Sequence, residues 1–301
     1  MKKSVSLLLA GLMLCGALTG CGGNNDSASY GEGGESQTAE GGESTGMSGA
    51  IHVVSREDGS GTRGAFVELT GVEDDNGDNT TVEAEIANRT DAVLTTVAGN
   101  EAAIGYVSLG SLNDTVKAVT VDGVEATVDN VKSGDYTLSR PFNIATKGEP
   151  TGVAADFINF IMSADGQAIV GEDYITVNDN AEAFTSDGSS GHITVGGSSS
   201  VSPVMEQLIE AYKAVNPNAQ IDLQTSDSTS GMTGAIDGTF AIGMASRELK
   251  DEETAELTGT AIALDGIAVV VNPANTVEDL TMDQIKGIYT GEITDWSEVA
   301  A

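Results

Sequence analysis

The chain has 301 residues, 40% of them apolar, which is enough for one large domain or two modest ones. Its 46 acidic and 13 basic residues give a net charge of −33. That charge makes nucleic acid and anionic membrane surfaces poor partners, because both are bound through basic patches. A small anion is not excluded, because salt screens surface carboxylates beyond about 8–10 Å and donors inside a closed cleft outweigh them.

The first twenty residues predict a secretory signal, since Lys2 and Lys3 precede an apolar stretch that is short for a transmembrane span. The segment Leu18-Thr19-Gly20-Cys21 resembles the lipobox of bacterial lipoproteins. This resemblance implies cleavage before Cys21 and a lipid on its sulfur. Cys15 would be removed with the signal, so the mature chain could form no disulfide.

Residues 21–50 predict a flexible tether. They are rich in Gly and Ser, also hold Asn and Thr, contain few large apolar side chains and repeat the segment Gly-Gly-Glu-Ser. Such a composition cannot bury enough apolar surface to offset the entropy of the chain. We expect the tether to hold a soluble body away from the membrane.

The body begins with a β-branched strand at Val53, which leads into the turn Arg56-Glu57-Asp58-Gly59-Ser60-Gly61-Thr62 and then into a helix. A glycine-rich turn at a helix N-terminus leaves backbone N–H groups unpaired, and the helix dipole adds to their attraction for an anion. Two hydroxyls and the Arg56 guanidinium add further donors. We interpret the turn as part of an oxyanion site, with a simple capped helix start as the alternative.

The same turn also fits a different pattern. Gly59, Gly61 and Gly64 have the G-x-G-x-x-G spacing of dinucleotide-binding turns. The match is short, and charged residues stand where a cofactor turn is usually small and apolar. The lysine of a P-loop does not follow, so a P-loop is excluded.

From this turn to residue 185, strand and helix patterns alternate. We predict a helix near residues 91–97, a strand at 103–108, a hairpin of strands at 116–121 and 124–128, an extended segment at 140–145 and an amphipathic helix at 153–162. The hairpin is predicted from the turn Asp122-Gly123 between its two apolar segments.

A second short linker, residues 185–191, is rich in Ser and Gly. After it, the order of strand, hydroxyl-rich turn and helix occurs twice more, at Gly197-Ser198-Ser199-Ser200 and at Ser228-Thr229-Ser230-Gly231, and a further strand ends at Ser246-Arg247. The carboxyl ends of strands are where α/β folds bind ligands. The sequence therefore predicts an α/β fold with an anion site built from several such turns.

Together with Asp265-Gly266-Ile267-Ala268-Val269 and Ser139-Arg140-Pro141-Phe142, these segments resemble the phosphate-binding protein of bacterial phosphate ABC transporters. The resemblance covers nearly all of residues 51–301. It implies a two-lobed α/β fold of the type II periplasmic-binding-protein kind, which binds inorganic phosphate in the cleft between the lobes and delivers it to permease subunits. It also implies a monomeric binding protein and not an enzyme, with no cofactor and no metal.

The order of the segments departs from the family, in which the Gly-Ser-Ser turn comes first and the Arg56 turn comes second. This sequence therefore looks like a circular permutant, in which residues 185–191 join the former termini. Such an exchange is tolerated where termini are close together and cuts fall in loops.

The resemblance also implies the lobes and the site residues. One lobe would comprise residues 140–266, and the other would comprise residues 51–139 with 267–301. The ligand-binding residues that it implies are Arg56, Ser60, Gly61, Thr62, Ser199, Ser200, Ser228, Thr229, Ser230 and Ser246, supported by Asp58, Asp227 and Arg247.

Some members of the family have an aspartate near the position of Ser246 and Arg247, which accepts the proton of phosphate. We expect Asp227, or else Asp58, to take that role in this chain. We also expect Asp58 to steady Arg56, and Arg63 to face outward from the first turn of its helix.

The leading hypothesis is thus an exported phosphate-binding lipoprotein, anchored by lipid to the outer face of the cell membrane. The alternatives are a sulfate or molybdate binder on the same scaffold, a phosphate sensor without a permease, and a nucleotide-dependent enzyme that uses the Gly59 turn. The sequence offers the enzyme no plausible general base or metal cluster, because His52 and His192 are the only histidines and both adjoin strands.

Overall fold

The computed structural model describes residues 47–299. The predicted signal at residues 1–20, the predicted lipid site at Cys21 and the tether as far as residue 46 lie outside the described residues. The end of the segment assigned to the tether contacts the body, since the Met47 N–H donates to Thr276 Oγ1 over 2.7 Å and the Gly49 N–H donates to Asp295 Oδ1 over 3.1 Å. Between residues 47 and 299, no helix combines the length and apolar character needed to cross a membrane.

The described residues form thirteen strands and nine α-helices. The strands are β1 His52–Arg56, β2 Glu73–Asp74, β3 Gly77–Asp78, β4 Glu85–Ala87, β5 Ala103–Ser108, β6 Lys117–Ala118, β7 Thr120–Val121, β8 Ser139–Thr146, β9 Gly191–Ser198, β10 Ala219–Ser226, β11 Ile242–Ala245, β12 Thr258–Val271 and β13 Asp279–Leu280. The helices are α1 Gly61–Thr70, α2 Thr90–Gly99, α3 Val128–Ser133, α4 Val153–Met162, α5 Ala164–Asp173, α6 Ser202–Val215, α7 Ser228–Asp237, α8 Asp251–Thr254 and α9 Met282–Thr290. Short 3₁₀ helices lie at Leu109–Ser111 and Trp296–Glu298.

The main sheet has the strand order β10-β9-β11-β8-β12-β5-β1-β4, with β6 paired to β12. Strands β10, β9 and β11 are parallel to one another, and so are β4, β1 and β5. Beside each parallel set lies one antiparallel strand that comes from the other half of the chain. Strand β8 follows β5 in the chain and pairs with β11, and strand β12 follows β11 and pairs with β5. The two halves of the chain are therefore equivalent in topology and exchange one strand each.

The apolar core divides at these exchanged strands. One lobe is built on clusters drawn from residues 142–263. The other is built on clusters from residues 53–138 and 267–299, joined by Ile175. Strand β12 crosses between the lobes, and its last five residues, 267–271, are apolar and fully buried, as expected for a strand covered on both faces. This two-lobed α/β arrangement agrees with the predicted fold class.

The predicted hairpin at residues 116–128 is wrong. The turn itself forms, with positive φ at Asp122 and Gly123, but a single bridge joins Val121 to Val124. Strand β7 pairs instead in parallel with β13, and helix α3 begins at Val128. A partner about 160 residues away along the chain replaces the local one, which sequence pattern does not reveal.

The linker at residues 185–191 is fixed along one lobe by Asp156. This buried carboxylate accepts hydrogen bonds from Ser186 Oγ at 2.6 Å, the Asp187 N–H at 3.0 Å and Tyr212 Oη at 2.7 Å. Burial alone would raise the pKa of Asp156, but these hydrogen bonds outweigh it and lower the pKa below its usual value. The connection between the two halves of the chain is thus anchored, although it is irregular in backbone structure.

Candidate functional site

Four helices begin where the two lobes meet. Each one follows a strand of a parallel set: α1 follows β1, α2 follows β4, α6 follows β9 and α7 follows β10. Their first residues are Gly61, Thr90, Ser202 and Ser228, and all four are buried. Unpaired N–H groups and the positive ends of four helix dipoles therefore converge at one place, which favours a bound anion.

Tyr106 holds the turn before α1 in place through hydrogen bonds to the end of β1. The Arg56 N–H donates to Tyr106 Oη over 3.2 Å, and that hydroxyl shares a second hydrogen bond of 2.9 Å with Ser55 Oγ. Burial raises the pKa of Tyr106 to about 12, so the hydroxyl stays neutral at physiological pH. Within residues 47–299, no hydrogen bond is made by the backbone N–H of Gly61 or Thr62, which leaves both as donors for a ligand.

Arg56 supplies the positive charge of the site, and its side chain is only 2% exposed. Its Nε and Nη2 donate to the Glu57 carboxylate, each over 2.8 Å. From the same guanidinium, Nη2 donates to Ser199 Oγ over 3.1 Å and Nη1 donates to Thr90 Oγ1 over 3.5 Å. A buried guanidinium needs partners on every side, and these come from both lobes.

The expected roles of Asp58 and Arg63 are wrong. Asp58 is fully exposed and accepts from Arg63 Nη1 at 2.9 Å, while Glu57 is the carboxylate that holds Arg56. Arg63 does not face outward, because its Nη1 also donates to the Arg56 carbonyl over 3.0 Å and its Nε donates to Asp78 over 2.7 Å. Asp58 is thus paired with Arg63 and not with the Arg56 guanidinium.

The serine turn after β9 meets the α1 turn across the cleft. Thr62 Oγ1 lies 2.8 Å from Ser200 Oγ, and Thr90 Oγ1 lies 3.3 Å from both Ser199 Oγ and Ser200 Oγ. These residues belong to different lobes and are more than a hundred positions apart in the chain. The structure thus brings together two of the predicted binding turns.

A second group of hydroxyls lies beside Gly61. Ser198 Oγ donates to Ser246 Oγ over 2.9 Å, and the Ser246 N–H donates to Ser228 Oγ over 3.1 Å. A Cβ atom on Gly61 would lie 2.4 Å from Ser228 Oγ and 2.9 Å from Ser246 Oγ. Only glycine therefore allows the α1 turn to approach these serines so closely.

The start of α7 closes the other side of the cleft. The Thr229 N–H donates to the Gly59 carbonyl over 3.1 Å, which is a backbone hydrogen bond between the lobes. Asp227 caps α7 by accepting from the Ser230 N–H at 2.8 Å and from Ser230 Oγ at 2.6 Å. Ser230 is therefore turned outward and exposed, away from the buried hydroxyls.

Neither predicted proton acceptor contacts the buried cluster. Among the hydrogen bonds of residues 47–299, Asp227 is engaged in its own helix cap and Asp58 in its pair with Arg63. The structure therefore brings neither carboxylate to Arg56 or to the serine turn, because local capping and a surface ion pair hold both elsewhere.

Arg247 lies beside the first turn of α7, where it pairs with Glu253. Its Nη1 and Nη2 donate to the Glu253 carboxylate over 2.7 and 2.8 Å, and Nη2 also donates to Thr229 Oγ1 over 3.4 Å. Burial raises the pKa of Glu253, but hydrogen bonds from Arg247 and Lys250 outweigh it and hold the pKa below its usual value. The pair steadies the first turn of α7 from outside the cluster.

A second buried ion pair joins the two exchanged strands. Arg140 Nη2 donates to Asp265 Oδ2 over 3.1 Å, and both side chains are at most 2% exposed. Burial raises the pKa of Asp265 to about 6, although the charge of Arg140 lowers it. The pair lies on β8 and β12, the strands about which a hinge motion of the lobes would turn.

Sequence reasoning missed Glu57, Thr90 and Ser198 as members of the cluster. Thr90 follows β4, whose three residues are too few to show a strand period, so the fourth unit of strand, turn and helix was not recognised. The segment Arg89-Thr90-Asp91 does carry the polar signature of a helix start, which was the available signal.

The cleft has two mouths. The wider is a cavity of about 530 Å³ whose lining includes Thr90, Ser199 and Pro203. The narrower is a cavity of about 240 Å³ whose lining includes Gly59, Ser60 and Thr229. The side chains of Arg56, Thr62 and Ser200 are buried and line neither cavity.

The chemistry of the cluster suits a small oxyanion. Hydroxyl, backbone N–H and guanidinium donors predominate, and the described part of the chain contains no group of three acidic, histidine or cysteine side chains that could hold a metal ion. Charge-assisted hydrogen bonds to such donors are stronger than neutral ones, and they are strengthened further where water is excluded.

Comparison with known proteins places this geometry in context. A family model described as "PBP superfamily domain" matches residues 35–165 and 182–301. "Phosphate-binding protein PstS 2" of Streptococcus agalactiae is 48% identical over 306 residues, which cover 99% of this chain and 98% of that protein. The protein of the same name from Streptococcus pneumoniae is 44% identical over 305 residues, covering 99% of this chain and 100% of that protein.

A solved structure is also similar. The crystal structure of a phosphate-binding protein of a phosphate ABC transporter from Streptococcus pneumoniae is 46% identical, with a TM-score of 0.68, and the match covers 83% of this chain and 100% of that one. The sequence alignments to the streptococcal relatives run through both lobes, so those relatives have the same order of segments.

Replacing Gly61 with alanine is expected to force the lobes apart, because the new Cβ would collide with Ser228 and Ser246. Small-angle X-ray scattering should then give a larger radius of gyration than the wild-type protein. Gly64→Ala is the matched control in the same helix, since its Cβ would meet only Arg247 Cδ at 3.8 Å. Equal radii for the two variants would show that contact at Gly61 does not limit closure.

Proposed function

This chain belongs to the PBP superfamily, and within it to the phosphate-binding proteins of bacterial phosphate transporters, and on that premise we propose that it captures inorganic phosphate between its lobes and delivers it to an ABC permease. The observation that carries the proposal is the buried Arg56 guanidinium at the meeting point of four helix N-termini. Each lobe supplies part of the donor set, so an oxyanion can be surrounded only when the lobes are together.

The proposed contacts follow from this geometry. Arg56 provides charge, the N–H groups of Gly61 and Thr62 provide backbone donors, and the buried hydroxyls provide the rest. The hydroxyl residues that we propose to bind phosphate are Ser60, Thr62, Ser199, Ser200, Ser228, Thr229 and Ser246. Ser230 drops out of the predicted set, because it faces solvent and is hydrogen-bonded to Asp227.

The geometry does not favour the nucleotide-dependent alternative. A dinucleotide turn needs an open face above its glycines for the pyrophosphate. In this protein the face of Gly61 is covered by Ser228 and Ser246 of the opposite lobe. The similar proteins described above are named as binding proteins, which favours a role in binding and transport over a nucleotide-dependent enzyme.

Delivery to a permease requires the protein to exist in two states. Contacts such as Thr62–Ser200 and Thr229–Gly59 join the lobes directly, so opening the cleft must break them. Phosphate would bias this hinge equilibrium toward the closed state, which the permease recognises, and release would follow reopening.

Titration calorimetry of the chain from residue 22 with phosphate tests this function. Phosphate should bind, and Arg56→Ala should weaken binding by roughly 100-fold or more, because charge-assisted hydrogen bonds contribute about 1.5–3 kcal/mol each. Arg63→Ala is the matched control. The Arg63 guanidinium is hydrogen-bonded to the Arg56 carbonyl, Asp58 and Asp78, so its loss should weaken phosphate binding much less. Equal losses in the two variants, or comparable affinity for sulfate or molybdate, would favour a different assignment.

We infer further that Cys21 carries a lipid that anchors the protein outside the cell membrane. The support is the lipobox-like segment after a charged and apolar signal, together with a body that has no membrane-spanning helix among its described residues. Cys21→Ser should release the protein into the culture medium, and mass spectrometry of the wild-type N-terminal peptide should show a diacylglyceryl cysteine. Retention of the variant in the membrane fraction would contradict the anchor.

We also infer that the halves of this chain are exchanged relative to the family order described above. The support is the equivalent topology of the halves and the position of the chain ends: the Ile51 N–H donates to Thr294 O over 2.8 Å and the Trp296 N–H donates to Gly49 O over 2.9 Å. The two ends of the body are thus adjacent, and the linker at residues 185–191 offers a loop in which to cut.

A rearranged chain tests that inference. Residues 191–299 followed by a short Gly/Ser linker and residues 51–184 should fold with the same circular dichroism spectrum and bind phosphate within a few-fold of the original. The reason is that every strand pairing of the main sheet is retained and only the connection changes. A rearranged chain that stays unfolded would show that the order of the halves is required.

A further inference from the structure

We propose that Thr90 determines specificity by closing the wide mouth of the cleft, so that inorganic phosphate is bound and phosphate monoesters are excluded. The proposal rests on the proposed function and deepens it by naming what the site rejects. It follows from the position of one side chain between the buried cluster and a cavity large enough for an organic group.

Thr90 is the first residue of α2 and is 6% exposed. Its hydroxyl faces Arg56 Nη1 of its own lobe at 3.5 Å and lies 3.3 Å from the hydroxyls of both Ser199 and Ser200 of the other lobe. A single side chain therefore spans from the charged group of the cluster to the opposite wall of the cleft.

The cavity beyond this contact has a volume of about 530 Å³. This is within the range of pockets that hold small organic molecules. Thr90 and Ser199 line it, whereas Arg56 and Ser200 do not. The Thr90–Ser199 contact is thus the partition between the cavity and the buried donors.

The walls of the cavity suit the carbon part of a small ester. Leu94, Leu112 and Pro203 provide apolar surface, and Asn113 and Glu206 provide polar groups. An ester held by its phosphoryl group at Arg56 would have to pass its carbon substituent through the partition to reach them. With Thr90 against Ser199, that path is closed, which excludes a phosphoryl group that carries a carbon substituent.

The narrow mouth offers no equivalent control. It is closed by the backbone hydrogen bond from the Thr229 N–H to the Gly59 carbonyl, and its cavity is about 240 Å³. Since the contact that closes this mouth is made by the backbone, we assign selection by side-chain size to Thr90 at the other mouth.

The test is calorimetry of the chain from residue 22 with inorganic phosphate and with glycerol 3-phosphate. The wild-type protein should bind phosphate and bind the ester far more weakly. Thr90→Ala removes both the hydroxyl and the methyl group. It should lower the ratio of phosphate affinity to ester affinity by about tenfold or more, because the ester binds more tightly to this variant. Discrimination by steric fit has this magnitude.

Two further variants separate size from hydrogen bonding. Thr90→Val keeps the bulk and removes the hydroxyl, so it should weaken phosphate binding and still exclude the ester. Thr96→Ala lies on the same helix, where its hydroxyl contacts Glu85 at the surface, and it should change neither affinity. If Thr90→Ala does not fold, Ser199→Ala opens the same partition from the opposite lobe and should narrow the ratio likewise.

Each outcome has a definite meaning. Wild-type protein that fails to bind phosphate overturns the proposed function itself. Wild-type protein that binds phosphate and the ester equally, or a Thr90→Ala variant that binds phosphate with an unchanged ratio, overturns the role of Thr90 and leaves phosphate binding standing. If Thr90→Val lowers the ratio of phosphate affinity to ester affinity as much as Thr90→Ala does, selection by side-chain size is overturned.

Discussion

The buried guanidinium of Arg56 is the group on which the arrangement of the two lobes depends. A charge that is 2% exposed is costly unless every side of it is paired. Glu57 supplies one side from the adjacent residue, and Ser199 supplies another from a turn 143 positions away. The remaining donors point toward the hydroxyls between the lobes, so the same charge that would attract an anion also joins the two halves of the chain.

The equivalence of the halves explains why so many helices begin at this place. In each lobe, the helices after the first and second parallel strands start at the same edge of the sheet, which gives four N-termini in two related pairs. The contacts that close the cleft follow the same relation. Thr90 begins the second helix of one lobe and meets the serine turn of the other, and Thr229 in the second helix of that lobe meets Gly59 in return.

The relation extends to the far ends of the strands, where each half pairs a histidine with a carboxylate of the neighbouring parallel strand. His52 lies 2.8 Å from Glu85, and His192 lies 2.9 Å from Asp222. The site itself is not symmetric, because only one half places an arginine in its first turn. Within the buried cluster the guanidinium comes from one lobe, and the other lobe contributes mainly hydroxyls.

The sequence by itself determined the features that depend on a few neighbouring residues. The glycine and serine at helix starts were predicted, and so were the buried strand at residues 103–108 and the helix at 153–162, both with the correct bounds. Turn chemistry and apolar period act locally, which is why the sequence reveals them. The tertiary structure alone decided which groups meet. Glu57 and not Asp58 holds Arg56, Thr90 enters the cluster, and β7 pairs with β13 instead of its neighbour. Each of these outcomes depends on segments brought together from distant parts of the chain, where packing and the pairing of a buried charge outweigh local preference.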